Sequence, residues 1–140
     1  MPTESFGGWL YVRIFANNMK KILILCTGNS CRSKMAQAFL QHLDANLYVR
    51  SAGTHPARHT HPLAIEVMKV AGMPITDVQP HNVKDYLDAT WDAVITVCDH
   101  ARESCPVFTG RVKRPMHISF PDPSSAKGTL SKSNLLYFRM

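Results

Sequence analysis

The chain has 140 residues, 45% of them hydrophobic, which suits one domain with an ordinary core. No apolar run approaches the roughly 20 residues that span a bilayer, and the first residues lack a secretory signal's pattern, so a cytoplasmic setting without membrane contact is expected. The net charge of +6 suits anionic substrates; Lys and Arg are scattered, however, and no basic helix face alternates with aromatics, so nucleic acid is not an expected partner.

Residues 1–18 read unlike the rest, with a polar lead, an apolar stretch Trp9–Phe15 and a break at Asn17-Asn18. They are expected to be an atypical N-terminal extension, an extra edge strand being the rival reading. Met19-Lys20-Lys21 reads like a protein start that feeds a first core strand, Lys21–Leu25. A helix follows over Ser33–Leu43, where Met35, Ala36, Phe39, Leu40 and Leu43 repeat at helical spacing. Leu47–Arg50 predicts a second strand, closed by Ser51-Ala52-Gly53. Pro62 opens a helix whose stripe of Leu63, Ala64, Val67, Met68 and Ala71 ends at Gly72. A short helix is expected from Asn82 to about Leu87, a buried strand over Ala93–Val97 and a weaker one over Arg114–Ser119. Beyond Lys127, residues 128–140 form an atypical tail with poor helix material at Ser131–Asn134. The alternation implies an α/β fold: one domain over residues 19–127, an open four-stranded parallel sheet with helices on both faces and right-handed crossovers.

The segment Cys26-Thr27-Gly28-Asn29-Ser30-Cys31-Arg32-Ser33 lies between the first strand and the first helix. Backbone N–H groups of such a loop can wrap a tetrahedral oxyanion at a helix N-terminus. Arg32 adds a bidentate donor, and the positive field favours the thiolate form of Cys26. This points to attack by sulfur on an oxyanion. The bland alternative is a buried cysteine followed by an ordinary loop.

In an open parallel sheet, ligands bind beyond the carboxyl ends of the strands. Cys26, Cys98 and Asp122 each follow a predicted strand, so the topology gathers them along one edge. Four cysteines in a chain of this kind argue for reactive thiols or metal ligation rather than a disulfide framework. Cys98 and Cys105 sit in a polar segment where a loop or looped-out turn would allow a disulfide. A zinc pair and two unrelated cysteines are the competing readings, although zinc ligands usually sit closer in sequence. Phe120-Pro121-Asp122-Pro123 presents a carboxylate between two prolines, suited to proton transfer or to a simple turn. His55, His59 and His61 have no thiol or carboxylate nearby in sequence and read as solvated loop histidines rather than metal ligands.

The Cys-x5-Arg-Ser loop resembles that of the low-molecular-weight protein tyrosine phosphatases and the thioredoxin-coupled arsenate reductases. The resemblance covers about Lys20 to Lys127, including Ser51-Ala52-Gly53. It leans to the reductases: Lys34 stands where phosphatases commonly carry proline, Ser124 and Ser125 where they carry tyrosine, and Cys98 and Cys105 match the redox pair. The resemblance implies a phosphotyrosine phosphatase I-like fold and a reductase without cofactor, regenerated by thioredoxin. In it Thr27 to Ser33 bind the oxyanion with Arg32, and Cys26 attacks arsenic. Asp122 assists proton transfer, Ser33 contacts Cys26, Asn29 braces the loop, and Cys98 and Cys105 relay a disulfide. Cys31 has no required role. A phosphatase using a Cys26 phosphocysteine is the alternative, and a non-catalytic oxyanion-binding remnant the third reading. Two departures stand out: the usual final amphipathic helix is truncated or atypical, and Gln37 stands where some members place a carboxylate for potassium, so no metal is expected.

Overall fold

A computed structural model describes residues 19–120. Their elements in chain order are β1 (Lys20–Cys26), α1 (Arg32–Leu43), β2 (Leu47–Gly53), α2 (Pro62–Val70), a 3-10 turn (Val83–Tyr86), β3 (Trp91–Thr96), α3 (Asp99–Ser104) and β4 (Val112–His117). The four strands are parallel in the order β2-β1-β3-β4, so the chain crosses over β1 and the strand order reverses between β1 and β3. In such sheets that reversal opens a crevice at the carboxyl ends.

Alternate residues of β1 face opposite sides, as the strand period requires. Leu23 and Leu25 pack with Ala52, Trp91, Val94 and Val83 of the 3-10 turn on one side. Ile24 and Cys26 pack with Val49, Val97 and Ala101 on the other, where Ala36 and Leu40 of α1 cover them. Met35 and Ala38 of α1 also bury against Ala64, Val67 and Met68 of α2. Phe39 is 45% and Ile118 42% exposed, and both line an apolar groove of about 370 Å3 that also includes Met68 and Ile95.

The expected elements are present with shifted ends. β2 runs on through Ser51-Ala52-Gly53, because these residues continue the pairing with Ile24, Leu25 and Cys26. β4 starts two residues earlier than its sequence pattern suggests; it is a largely exposed edge strand, and an edge tolerates Pro115, whose missing N–H weakens any strand reading. The segment after β3, for which the sequence allowed a loop or a looped-out helical turn, is a short helix, α3. Cys98 caps it and Asp99 and Arg102 complement its two ends. No helix among the described residues is long and apolar enough to cross a membrane. The expectations for residues 1–18, for Asp122 and for the tail 128–140 with its final helix lie outside the described residues.

Candidate active site

The loop Thr27–Cys31 leaves the carboxyl end of β1 and enters α1 at Arg32. Its carbonyls are taken from outside: the N–H groups of Thr54, His55, Ala57 and His61 donate to the carbonyls of Cys26, Thr27, Gly28 and Ser30 at 3.1, 2.9, 2.8 and 2.8 Å. Across a trans peptide, C=O and N–H point in opposite directions. Fixing these carbonyls outward therefore turns the N–H groups of Thr27, Gly28, Asn29 and Cys31 inward. The inward side holds the Cys26 sulfur, since the Asn29 N–H reaches Sγ at 3.1 Å. The result is a concave set of donors of the kind that binds tetrahedral anions.

This curvature requires Asn29 at φ 51°, a left-handed conformation that asparagine tolerates better than most residues. Gly53 must lie close by: a Cβ there would stand 2.3 Å from the Thr27 carbonyl oxygen and 3.0 Å from the Asn29 nitrogen. The Ser51-Ala52-Gly53 run thus carries a steric demand of the loop itself. The role of residues 54–61 had no signal in the sequence, because backbone N–H groups do the holding and any residue except proline supplies one.

Hydrogen-bond directions around the sulfur follow from one fixed donor. The His81 backbone N–H donates to Asn29 Oδ1 at 2.8 Å. Asn29 Nδ2 then faces Ser33 and donates to its Oγ at 2.8 Å. Ser33 Oγ lies 2.8 Å from Cys26 Sγ, and having accepted from Asn29 it has its own hydrogen to give to the sulfur. Two donors therefore converge on Cys26, an arrangement suited to an anionic sulfur. Asn29 and Ser33 are both fully buried.

Arg32 opens α1 and donates from a guanidinium nitrogen to the Phe120 carbonyl at 2.9 Å, while the Phe120 N–H is anchored on the Val97 carbonyl at 3.1 Å. The segment that leaves β4 is thereby tied to the start of α1. Cys31, the residue before α1, is buried against Met35 and α2 as part of the core.

Cys98 follows β3, the strand beside β1. It is buried, its Sγ accepts from the Ala101 N–H at 3.4 Å, and it lies 3.3 Å from the Thr27 hydroxyl. A second thiol thus stands beside the first residue of the oxyanion loop. Cys105 ends α3 at the far side, half-buried, and burial pushes its thiol up. All four cysteines are free. Cys98 and Cys105 flank the six-residue α3, and seven steps at the helical rise put their Cα atoms about 10 Å apart, beyond the ~7 Å a disulfide accepts. The two can pair only when α3 opens.

The loop histidines take other parts. His61 caps α2 by accepting the Leu63 N–H at 3.1 Å, the His55 ring lies 5.7 Å from that of His100, and His59 is exposed. Gln37 is engaged by protein groups: it donates to the Val49 carbonyl at 3.2 Å and accepts from Ser51 Oγ. Among the described residues no three His, Cys, Asp or Glu side chains are gathered as a metal site.

Residues 21–124 match the model of a family described as low molecular weight phosphotyrosine protein phosphatase. An arsenate reductase of Shouchella clausii is 38% identical over 122 residues, 86% of each chain. The solved structure of an arsenate reductase in the phosphate binding state superposes with TM-score 0.67 at 26% identity, covering 86% of this chain and 90% of the other. A thioredoxin-dependent arsenate reductase of Corynebacterium glutamicum does so with TM-score 0.58 at 25% identity, over 93% of this chain and 65% of the other.

Proposed function

Since the chain belongs to the low molecular weight phosphotyrosine protein phosphatase family, and so is an enzyme rather than a non-catalytic remnant, we propose that it reduces arsenate to arsenite. The observation that carries this reading is the second thiol: Cys98 Sγ lies 3.3 Å from the Thr27 hydroxyl, at the mouth of the loop that holds Cys26. Hydrolysis of a phosphate ester needs one sulfur, whereas reduction needs a second to accept the bond.

Arsenate binds to the inward N–H groups of residues 27–33 and to Arg32. The Cys26 thiolate attacks arsenic(V) and an oxygen leaves as water, with Asp122 supplying a proton. The Cys98 thiolate then attacks the Cys26 sulfur. The sulfur–arsenic bond breaks, its electron pair stays on arsenic, and arsenite leaves with a Cys26–Cys98 disulfide behind it. Cys105 attacks Cys98 as α3 opens, freeing Cys26 and forming the Cys98–Cys105 disulfide. A dithiol of the thioredoxin class takes up that bond and restores the three thiols, so two electrons enter for each arsenate reduced. A thioredoxin partner fits a cytoplasmic setting and the likeness to a relative of that description.

The experiment supplies arsenate, thioredoxin, thioredoxin reductase and NADPH to the full chain. NADPH consumption is expected, and Cys98→Ser and Cys105→Ser are expected to abolish steady turnover. Turnover indifferent to both substitutions sinks the relay. The second reading, phosphatase activity, is favoured by the single-sulfur chemistry the loop already contains. It predicts p-nitrophenyl phosphate hydrolysis that depends on Cys26 and survives loss of Cys98.

A further inference from the structure

Lys34 stands in the first turn of α1, directly after Ser33, and its side chain is 0% exposed. A buried ammonium costs several kcal/mol unless it is well partnered. Its Nζ donates to the Gln79 carbonyl at 2.7 Å and lies 3.4 Å from Asp77 Oδ2. Asp77, one-third exposed, also takes the His81 ring, with Nε2 at 2.8 Å from Oδ2. The His81 peptide is held on both sides, its carbonyl by the Gly53 N–H at 2.8 Å and its N–H by Asn29 Oδ1 at 2.8 Å. From Asn29 the contacts pass through Ser33 to the Cys26 sulfur.

We propose that Lys34 is a positioning residue: an internal cation behind the oxyanion loop that fixes the Asp77–His81 segment against Asn29 and so holds Asn29 and Ser33 where they meet the Cys26 sulfur. A neutral donor would serve the Gln79 carbonyl equally well. A purely structural bridge does not require a charge, and buried ion pairs are often replaced by apolar groups without loss of stability. Burial pushes the Lys34 ammonium down, and the neighbouring Asp77 carboxylate opposes it. The other titratable groups facing this corner are His81 and, across a polar cavity of about 460 Å3 that also holds Asp77, Arg50 of β2 and Tyr86.

The inference rests on Cys26 being the attacking sulfur, which both readings of the function share. Its test needs neither arsenate nor thioredoxin, so its failure is distinguishable from theirs. The rate of Cys26 alkylation by iodoacetamide is followed from pH 5 to 9, with peptide mass spectrometry separating Cys26 from the other cysteines. Lys34→Gln keeps a donor for Gln79 and removes the charge. It is expected to move the profile about one pH unit upward, so that alkylation on the acid side slows ~10-fold. Lys34→Met with Asp77→Asn, which removes both charges together, is expected to move it the same way. A folded Lys34→Gln protein whose profile superimposes on that of the unaltered chain overturns the proposal. So does failure of both variants to fold, which would make Lys34 a structural bridge.

Discussion

The loop after β1 and the segment after β3 each bring a cysteine to the same edge of the sheet, and they are held in opposite ways. Around Cys26, four carbonyls are pinned by a neighbouring segment and two donors meet the sulfur. Around Cys98 and Cys105 there is a six-residue helix. It is steadied by a cap from Cys98, by Ser104 donating to the His100 carbonyl, and by Asp99 against His117, where Asp99 is 68% exposed. Ala101 is its one residue buried in the core, and short helices are marginal with so little tertiary packing. The difference suits the two tasks of the proposed relay: an anion is bound best by donors that do not move, whereas a sulfur that passes a disulfide on needs a backbone that opens at little cost.

The largest blow to the rigid half is Gly53→Ala. The added methyl would meet the Thr27 carbonyl at 2.3 Å, which the loop can relieve only by moving. A loss of ~100-fold in turnover is expected, together with about 1–3 kcal/mol of stability, read by kinetics and urea unfolding. Retained phosphate affinity in this variant would mean that the loop is not rigid at all.

Next in size is a paired measurement of stability across the two regions. Asn29→Ala leaves the His81 N–H without its acceptor and the Ser33 oxygen without its donor, and places alanine at positive φ. It should cost about 2–4 kcal/mol. Cys105→Ser, at a half-buried helix end, should cost about 1 kcal/mol or less. Equal losses would erase the contrast.

The smallest effect concerns pH. Burial alone would push the Asp77 carboxyl up, but Lys34 and His81 together outweigh it and hold it below its ordinary value of 3.8. Between its folded value and 3.8 the unfolded chain binds more protons, so stability rises with pH across that window. The contribution is therefore complete above pH 3.8 and lost as pH falls through the folded value. The stability gap between the unaltered chain and Asp77→Asn should be present at neutral pH and shrink below about pH 4; a gap independent of pH would remove the charge from the account.

Much of this contrast is legible in the residues. The apolar run Lys21–Leu25 marks the central strand because it is buried on both sides, and Cys26 through Ser33 carries the chemistry in its residue types. β4 is misplaced by two residues because its four central residues are exposed whichever face they take, so no alternation of burial marks the strand. α3 is hidden because a six-residue helix is shorter than two turns and its stripe is a single buried alanine, Ala101. The burial of Lys34 escapes: a lysine at the start of a helix carries no mark of it, and only the fold reveals the carboxylate and carbonyl that receive it.

The four outward hydrogen bonds have a thermodynamic consequence. Thr54, His55, Ala57 and His61 lie more than twenty positions downstream of the loop they hold, so neither stretch keeps its shape when the other opens. Occupancy of the loop by an anion is then linked by mass action to the closure of both. Amide protons that never touch the ligand should report it, exchanging with solvent more slowly as the loop fills, and the two stretches should open and close as a single cooperative unit.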